Sequence, residues 1–156
     1  MSVGEKKIYN SPVGRLLAEV ENGFLVRLDF ADGSQAEGKN GNESALLAKV
    51  AMQLDEYFRG ARKNFDLPLN PAGTEFQRKV WDALLAIPYG ETRTYREIAE
   101  AAGCPRGFRA VGMANNKNPI AIIIPCHRVI GSNGKLVGYA SGLGRKEALL
   151  AMERGK

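Results

Sequence analysis

The sequence predicts an α/β protein: a small N-terminal antiparallel sheet with one long helix, followed by a mostly helical half that contains a helix-turn-helix. Three observations predict it. Short apolar runs broken by turn residues fill positions 6–30. Apolar residues at three- and four-residue spacing begin after position 43 and return behind two capping boxes. A short Gly-containing turn joins two short helical segments near position 103.

The first half reads as strands and then a helix. Lys7-Ile8-Tyr9, Leu16-Leu17-Ala18-Glu19-Val20 and Phe24-Leu25-Val26-Arg27-Leu28-Asp29-Phe30 are strand-like, with turns over 10–14 and 21–23. Asn22-Gly23 is a hairpin signal because both residues tolerate positive φ. Residues 31–42 are polar and Gly-rich and read as a loop. Over 43–59, Leu47, Val50, Leu54 and Phe58 share a helical face, and Gly60 suits the end of that helix. Pro68 and Pro71 mark a linker over 64–73, which sets the expected domains at 1–70 and 71–156.

The second half is strongly punctuated. Thr74-Glu75-Phe76-Gln77 opens a helix that Pro88 stops, and Pro88-Tyr89-Gly90 is a turn. Thr94-Tyr95-Arg96-Glu97 opens a short helix through Ala102. Gly103 suits its C-terminal cap, and Pro105 suits the first turn of a next helix running to about Asn115. Residues 120–124, four isoleucines and an alanine, read as a strand buried on both faces that delivers Cys126 at its end. Ser132-Asn133-Gly134 is a tight turn, a loop surrounds Tyr139, and a last helix covers 143–154.

Composition narrows the function classes. At 44% hydrophobic residues the chain is too apolar to be disordered. No run of about 18 apolar residues is present, so no membrane partner is expected. The N-terminus lacks a signal-peptide core, which points to the cytoplasm, or to the nucleus in a eukaryote. Cys104 and Cys126 give no disulfide framework, and with one histidine they make no familiar zinc site, so neither metal nor cofactor is expected. The formal charge of +5 is uneven: residues 1–74 carry a net −1 and residues 75–156 a net +6. The basic half is the electrostatic footprint of a polyanion binder. Arg106 and Arg109 lie on the second helix of the helix-turn-helix, where Gly107, Ala110 and Gly112 are small enough for close approach.

Cys126 is the candidate nucleophile, presented from a rigid element behind Pro125. The only histidine, His127, adjoins it. On an extended segment the two side chains point apart, so their contact needs a turn or a bridging water. Thiolate, not thiol, attacks carbon. A free thiol of pKa ~8.5 is only a few per cent ionised at neutral pH, so full ionisation gains ~30-fold at most. Most acceleration must come from holding the carbon in line with sulfur and from donors to the leaving group.

Pro125-Cys126-His127-Arg128-Val129-Ile130 resembles the active-site signature of the O6-alkylguanine-DNA alkyltransferases, the methylated-DNA–protein-cysteine methyltransferases. The resemblance runs over about residues 72–154 and takes in Phe76-Gln77-Arg78-Lys79-Val80-Trp81, Ile87-Pro88-Tyr89-Gly90-Glu91, Thr94-Tyr95, Arg109-Ala110-Val111-Gly112, Asn118-Pro119, Gly138-Tyr139, Arg145-Lys146 and Leu149-Leu150-Ala151-Met152-Glu153. Residues 1–70 resemble the family's ribonuclease H-like N-terminal domain in outline.

What the resemblance implies is a suicide repair protein. Cys126 would take an alkyl group from O6 of an extruded guanine, with His127 as general base through a water and Glu153 orienting the imidazole. Asn118 would brace the turn. Tyr95 would donate to the base, the carbonyls of Cys126 and Val129 would accept from its amine, and Tyr139, Ala140 and Ser141 would line the pocket. Arg109 would replace the extruded base, with Arg106, Gly107, Ala110, Gly112 and Arg128 at the DNA. The partner would be double-stranded DNA containing O6-alkylguanine, met by a monomer that can cluster along it.

Two departures from the family pattern stand out, beside one position that varies among members. Phe108 occupies a position that is often small, Ser141 one that is commonly glycine, and Ala140 one that is serine in some members. The main alternative is a non-catalytic alkylated-base sensor of the same fold, whose members carry another residue, often tryptophan, in place of the cysteine. A cysteine hydrolase would need neither the helix-turn-helix nor Arg109.

Overall fold

The computed structural model describes residues 4–31, 44–134, 139 and 142–155. The chain divides into a unit ending at Ala72 and one beginning at Gly73.

In the first unit, β1 (Glu5–Ser11), β2 (Gly14–Glu21) and β3 (Phe24–Phe30) form an antiparallel sheet in sequential order. The β2–β3 turn has Asn22 at φ 54° and Gly23 at φ 83°. Two successive positive φ values suit the right-handed twist of the flanking strands, which is why Asn-Gly is selected there. Leu16, Ala18 and Val20 are buried at alternate positions of β2. Against β1 and β2 lies α1 (Ala45–Phe58), which opens where the Ser44 side chain accepts from Leu47 N–H and buries Leu47, Val50, Leu54 and Tyr57.

The Pro-rich segment expected as a plain linker is pinned to this sheet. Leu25 N–H donates to Pro68 O at 2.8 Å, and Asn70 N–H donates to Leu25 O at 2.9 Å. Buried Gln53 also acts like a strand edge, giving Nε2 to Asp66 O at 3.1 Å and taking Asp66 N–H on Oε1 at 2.9 Å. The polar loop expected over 31–42 lies outside the described residues beyond Ala31.

The second unit starts with α2 (Glu75–Leu85), whose Thr74–Gln77 capping box is fully formed. A Cβ on Gly73 would fall 2.4 Å from Trp81 Cη2, so only glycine lets that indole seat itself. After a two-residue strand β4 (Arg93–Thr94) comes α3 (Tyr95–Ala101), opened by the Thr94–Glu97 capping box, and then α4 (Phe108–Asn116). α4 packs on α2 and α3, and α3–α4 is the helix-turn-helix. β5 (Val129–Ile130) pairs parallel with β4, and α5 (Leu143–Glu153) closes the described chain.

Two expectations change. The second helix of the helix-turn-helix begins at Phe108, not Pro105. Gly107 N–H bonds Cys104 O at 2.7 Å, so Pro105 occupies the second position of a β-turn, where its fixed φ fits. Residues 120–124 are not a strand. They coil tightly, with Ile124 N–H bonded to Ile120 O at 3.1 Å and Ile122 at φ 72°. The isoleucines are buried as anticipated, but in a turn.

The cause of that turn is Asn118. Its Oδ1 accepts from Ile120 N–H at 3.0 Å and its Nδ2 donates to Ile124 O at 2.8 Å, which clips the two ends of the segment together. A short polar side chain bonding its own neighbourhood competes with a sheet ladder, and here it prevails.

Candidate active site

Cys126 follows this clipped turn and starts a single 3-10 turn, Cys126–Arg128. Its N–H bonds Ile124 O at 2.8 Å, and its carbonyl accepts from Val129 N–H. The two neighbouring residues therefore do not lie on an extended strand, and the rule that their side chains point apart does not apply. Both are buried, Cys126 at 6% and His127 at 0% exposure.

His127 Nε2 lies 2.8 Å from Glu153 Oε2. With the carboxylate as acceptor, Nε2 carries the proton and Nδ1 keeps its lone pair. Nδ1 is buried and has no hydrogen-bond partner among the described residues. Burial holds the His127 pKa below its ordinary value, outweighing the upward pull of the Glu153 bond, so the ring rests neutral. Burial pushes Glu153 upward, but hydrogen bonds from His127 and Arg128, and then their charges, take it down to about 2.

Arg128 corrects an expectation. Placed among the DNA contacts from sequence, it is 6% exposed and turned inward. Its Nε donates to Glu153 Oε1 at 2.8 Å, its Nη2 to Glu153 Oε2 at 3.0 Å and its Nη1 to Ile87 O at 2.7 Å. Its guanidinium carbon also lies 5.7 Å from the centre of the Tyr89 ring. A planar fork matched to a carboxylate is what a buried ion pair demands.

Tyr95, at the start of α3, is half-buried. Burial first, and the charge of Cys126 second, raise its pKa, so the phenol keeps its proton and can donate. Asn118 sits behind the nucleophile through the 120–124 turn, and Val129 is fully buried beside it. Tyr139 is half-buried, while Ala140 and Ser141 lie outside the described residues.

On α4 and the turn before it, Arg106, Phe108, Arg109, Ala110 and Met113 are exposed. Phe108 therefore adds an aromatic group to this surface, at 46% exposure, and does not pack inward. Two of the small residues differ in cause. A Cβ at Gly112 would meet the Tyr95 ring at 3.8 Å, an ordinary contact, so the fold leaves room for one. At Gly107 it would lie 3.2 Å from Cys104 O and 3.3 Å from Cys104 Sγ, so the turn itself asks for glycine.

Sequence reasoning missed two buried polar residues here. Asn115 on α4 is 2% exposed and directs Nδ2 to Cys126 O at 3.4 Å. Lys146 on α5 is fully buried, and that burial lowers its pKa to about 8 while the charge of Cys126 partly restores it. A signal for Lys146 existed: Lys146, Leu149, Leu150 and Glu153 fall on one helical face, and that face is the buried one. The helix presenting Asn115 is anchored by Trp81, whose Nε1 donates to Ala114 O at 2.9 Å.

Residues 75–155 match the 6-O-methylguanine DNA methyltransferase DNA binding domain, and residues 6–71 match the ribonuclease-like domain of the same description. A methylated-DNA–protein-cysteine methyltransferase of Methanosarcina barkeri is 54% identical over 154 residues, covering 94% of each chain. One of Mycobacterium tuberculosis is 59% identical over 149 residues, covering 94% of this chain and 90% of that one. The crystal structure of Mycobacterium tuberculosis OGT in complex with DNA superposes with a TM-score of 0.87 at 45% identity, covering 96% of this chain and 92% of that one.

Proposed function

The chain belongs to the 6-O-methylguanine DNA methyltransferase family, and from that premise we propose that it repairs DNA by moving an alkyl group from O6 of guanine to Cys126, once per chain. The observation that carries this reading is the buried series Cys126, His127, Glu153, Arg128, in which every charged or basic group has a defined partner or a defined task.

The steps follow from those commitments. Glu153 and Arg128 fix the His127 ring with Nε2–H outward to the carboxylate and Nδ1 as the base. His127 Nδ1 takes the thiol proton through a bridging water. The thiolate attacks the alkyl carbon, a C–S bond forms, the C–O bond breaks, and the electron pair leaves on guanine O6. Buried Lys146, which feels the charge of Cys126, offsets the negative charge of the thiolate. Tyr95, held protonated, donates to the departing base. The carbonyls of Cys126 and Val129 are candidates for the amine edge of that base, with Tyr139, Ala140 and Ser141 lining the pocket. A thioether has no good leaving group, so the acceptor is consumed.

The atom attacked is inside a duplex, so the base must be extruded. Arg109, exposed on α4, is suited to fill the gap, and Arg106, Gly107, Ala110 and Gly112 form the surface that approaches DNA. The protein acts as a single chain on duplex DNA containing O6-alkylguanine. Phosphate contacts make binding salt-sensitive and nearly independent of sequence. A sensor that binds without transfer is disfavoured by the cysteine itself.

The test is mass spectrometry of the Cys126 peptide after incubation with duplex DNA carrying O6-methylguanine. The expected result is one methyl in place of one hydrogen, stoichiometric with protein and absent in Cys126→Ser. No adduct, or repair of many lesions per chain, rejects the proposal.

A further inference from the structure

Large apolar side chains exposed singly on a surface are ordinary. On α4 two of them share one short helix. Its nine residues expose Phe108 at 46% and Met113 at 69%, while Val111, Ala114 and Asn115 form the buried face. At 3.6 residues per turn, Arg109 falls between the two around the exposed side. The rim is cationic. Arg106 precedes the helix and Lys117 follows it, both exposed, and α4 contains no acidic residue. An apolar strip edged by positive charge complements a duplex, whose stacked bases lie between two rows of phosphates.

Phe108 is the better placed of the two. Residues four apart share a helix face, so Phe108 stands one turn before Gly112. A Cβ at Gly112 would meet the Tyr95 ring at 3.8 Å, and Tyr95 feels the charge of Cys126. Phe108 thus begins the face of α4 that borders the reacting centre, with Arg109 next to it and Met113 beyond. A phenyl ring has nothing to hydrogen-bond to a base edge, so it does not read sequence that way. Apolar side chains on a DNA-facing surface act instead by entering between base steps and unstacking them. We infer that Phe108 is a second wedge beside Arg109, whose ring enters the duplex next to the extruded guanine and stacks on the neighbouring base. Arg109 fills the vacated place, and Phe108 holds open the step beside it. The inference rests on the reading of Cys126 as the acceptor of an alkyl group from O6-alkylguanine in duplex DNA.

The test compares single-turnover methyl transfer from O6-methylguanine in a duplex with transfer from the same lesion in a single strand, where no paired step has to be opened. The readout is the ratio of the two rates within each full-length variant, so a change in the folded fraction cancels. Phe108→Ala should lower that ratio by about tenfold (~1.4 kcal/mol), the low end for an aromatic ring stacked on a base. Phe108→Leu, still an apolar wedge, should recover most of it. The loss should be the same at low and at high salt, because a phenyl ring displaces no counterion from phosphate. An unchanged ratio in Phe108→Ala overturns the inference, and so does a loss confined to low salt or one that Phe108→Leu shares in full. Self-association that disappears in Phe108→Ala while the ratio holds assigns the ring to a second copy of the chain and overturns it equally. A wild type that takes methyl from neither DNA sinks the alkyl-transfer reading itself, which is a distinguishable failure.

Discussion

Arg128 grips Glu153 with two parallel hydrogen bonds, Nε to Oε1 at 2.8 Å and Nη2 to Oε2 at 3.0 Å, and the same carboxylate takes the His127 ring at 2.8 Å. The arginine next to the nucleophile pair therefore serves the catalytic base at one remove. Arg128→Met should cost about 3 kcal/mol of folding stability, because it strips a buried carboxylate of its main counter-charge. Urea denaturation measures that loss. Affinity of the folded protein for undamaged duplex should stay near wild type, and a steep fall there would return Arg128 to the DNA surface.

Acid should unfold the protein by way of the same carboxylate. Glu153 is held near a pKa of about 2, against an ordinary 4.5. A carboxyl with a depressed folded pKa contributes stability that is fully present above 4.5 and is lost as pH falls towards about 2. The loss is on the order of 3 kcal/mol. His127 adds to it from higher pH. Its folded pKa is also depressed, so the unfolded chain gains a proton below 6.5 that the native ring refuses. Chemical denaturation from pH 7 to pH 3 should show falling stability in the wild type. The slope below 4.5 should be shallower in Glu153→Gln, and equal slopes would contradict the shift.

Arg109 and the chemistry at sulfur are separable. Arg109→Ala should slow repair in duplex DNA by about tenfold or more, since ~1.4 kcal/mol is a modest share of the cost of unstacking a base. Reaction with free O6-benzylguanine should hardly change. Equal losses on both substrates would remove Arg109 from base extrusion.

Asn118→Ala unclips the turn ahead of the nucleophile. Ile120 N–H and Ile124 O both lose a partner, at a cost of about 2 kcal/mol in stability. Transfer should slow as well, because Cys126 N–H is bonded to the same Ile124 carbonyl. Thermal unfolding and single-turnover kinetics measured together test this, and full activity in a destabilised variant would reduce Asn118 to a structural role.

Elements fixed by neighbouring residues were legible in the sequence. The Asn22-Gly23 hairpin and the capping boxes at Thr74 and Thr94 depend on local φ preferences and side chains three residues away, and they lie where those rules put them. The 120–124 turn was not legible. Its apolar run looks like strand, and Ile122 is β-branched, a poor fit to φ 72°, so the residue gives no hint of its backbone. Only the two-sided bond from Asn118 decides the matter. Arg128 was misread for a related reason. A positive charge beside a DNA-binding unit suggests phosphate, and its real partner is 25 positions away on α5. The apolar residues on both sides of it were the available warning.

Two backbone pairs, Arg93 with Val129 and Thr94 with Ile130, join the strand leading into Tyr95 to the strand leaving Cys126. Because a ladder is written in main-chain atoms, the spacing of those two backbones is set without regard to which side chains hang from them. A combinatorial library randomised at the half-buried positions 93 and 130 would vary these side chains while the backbone pairing stays put.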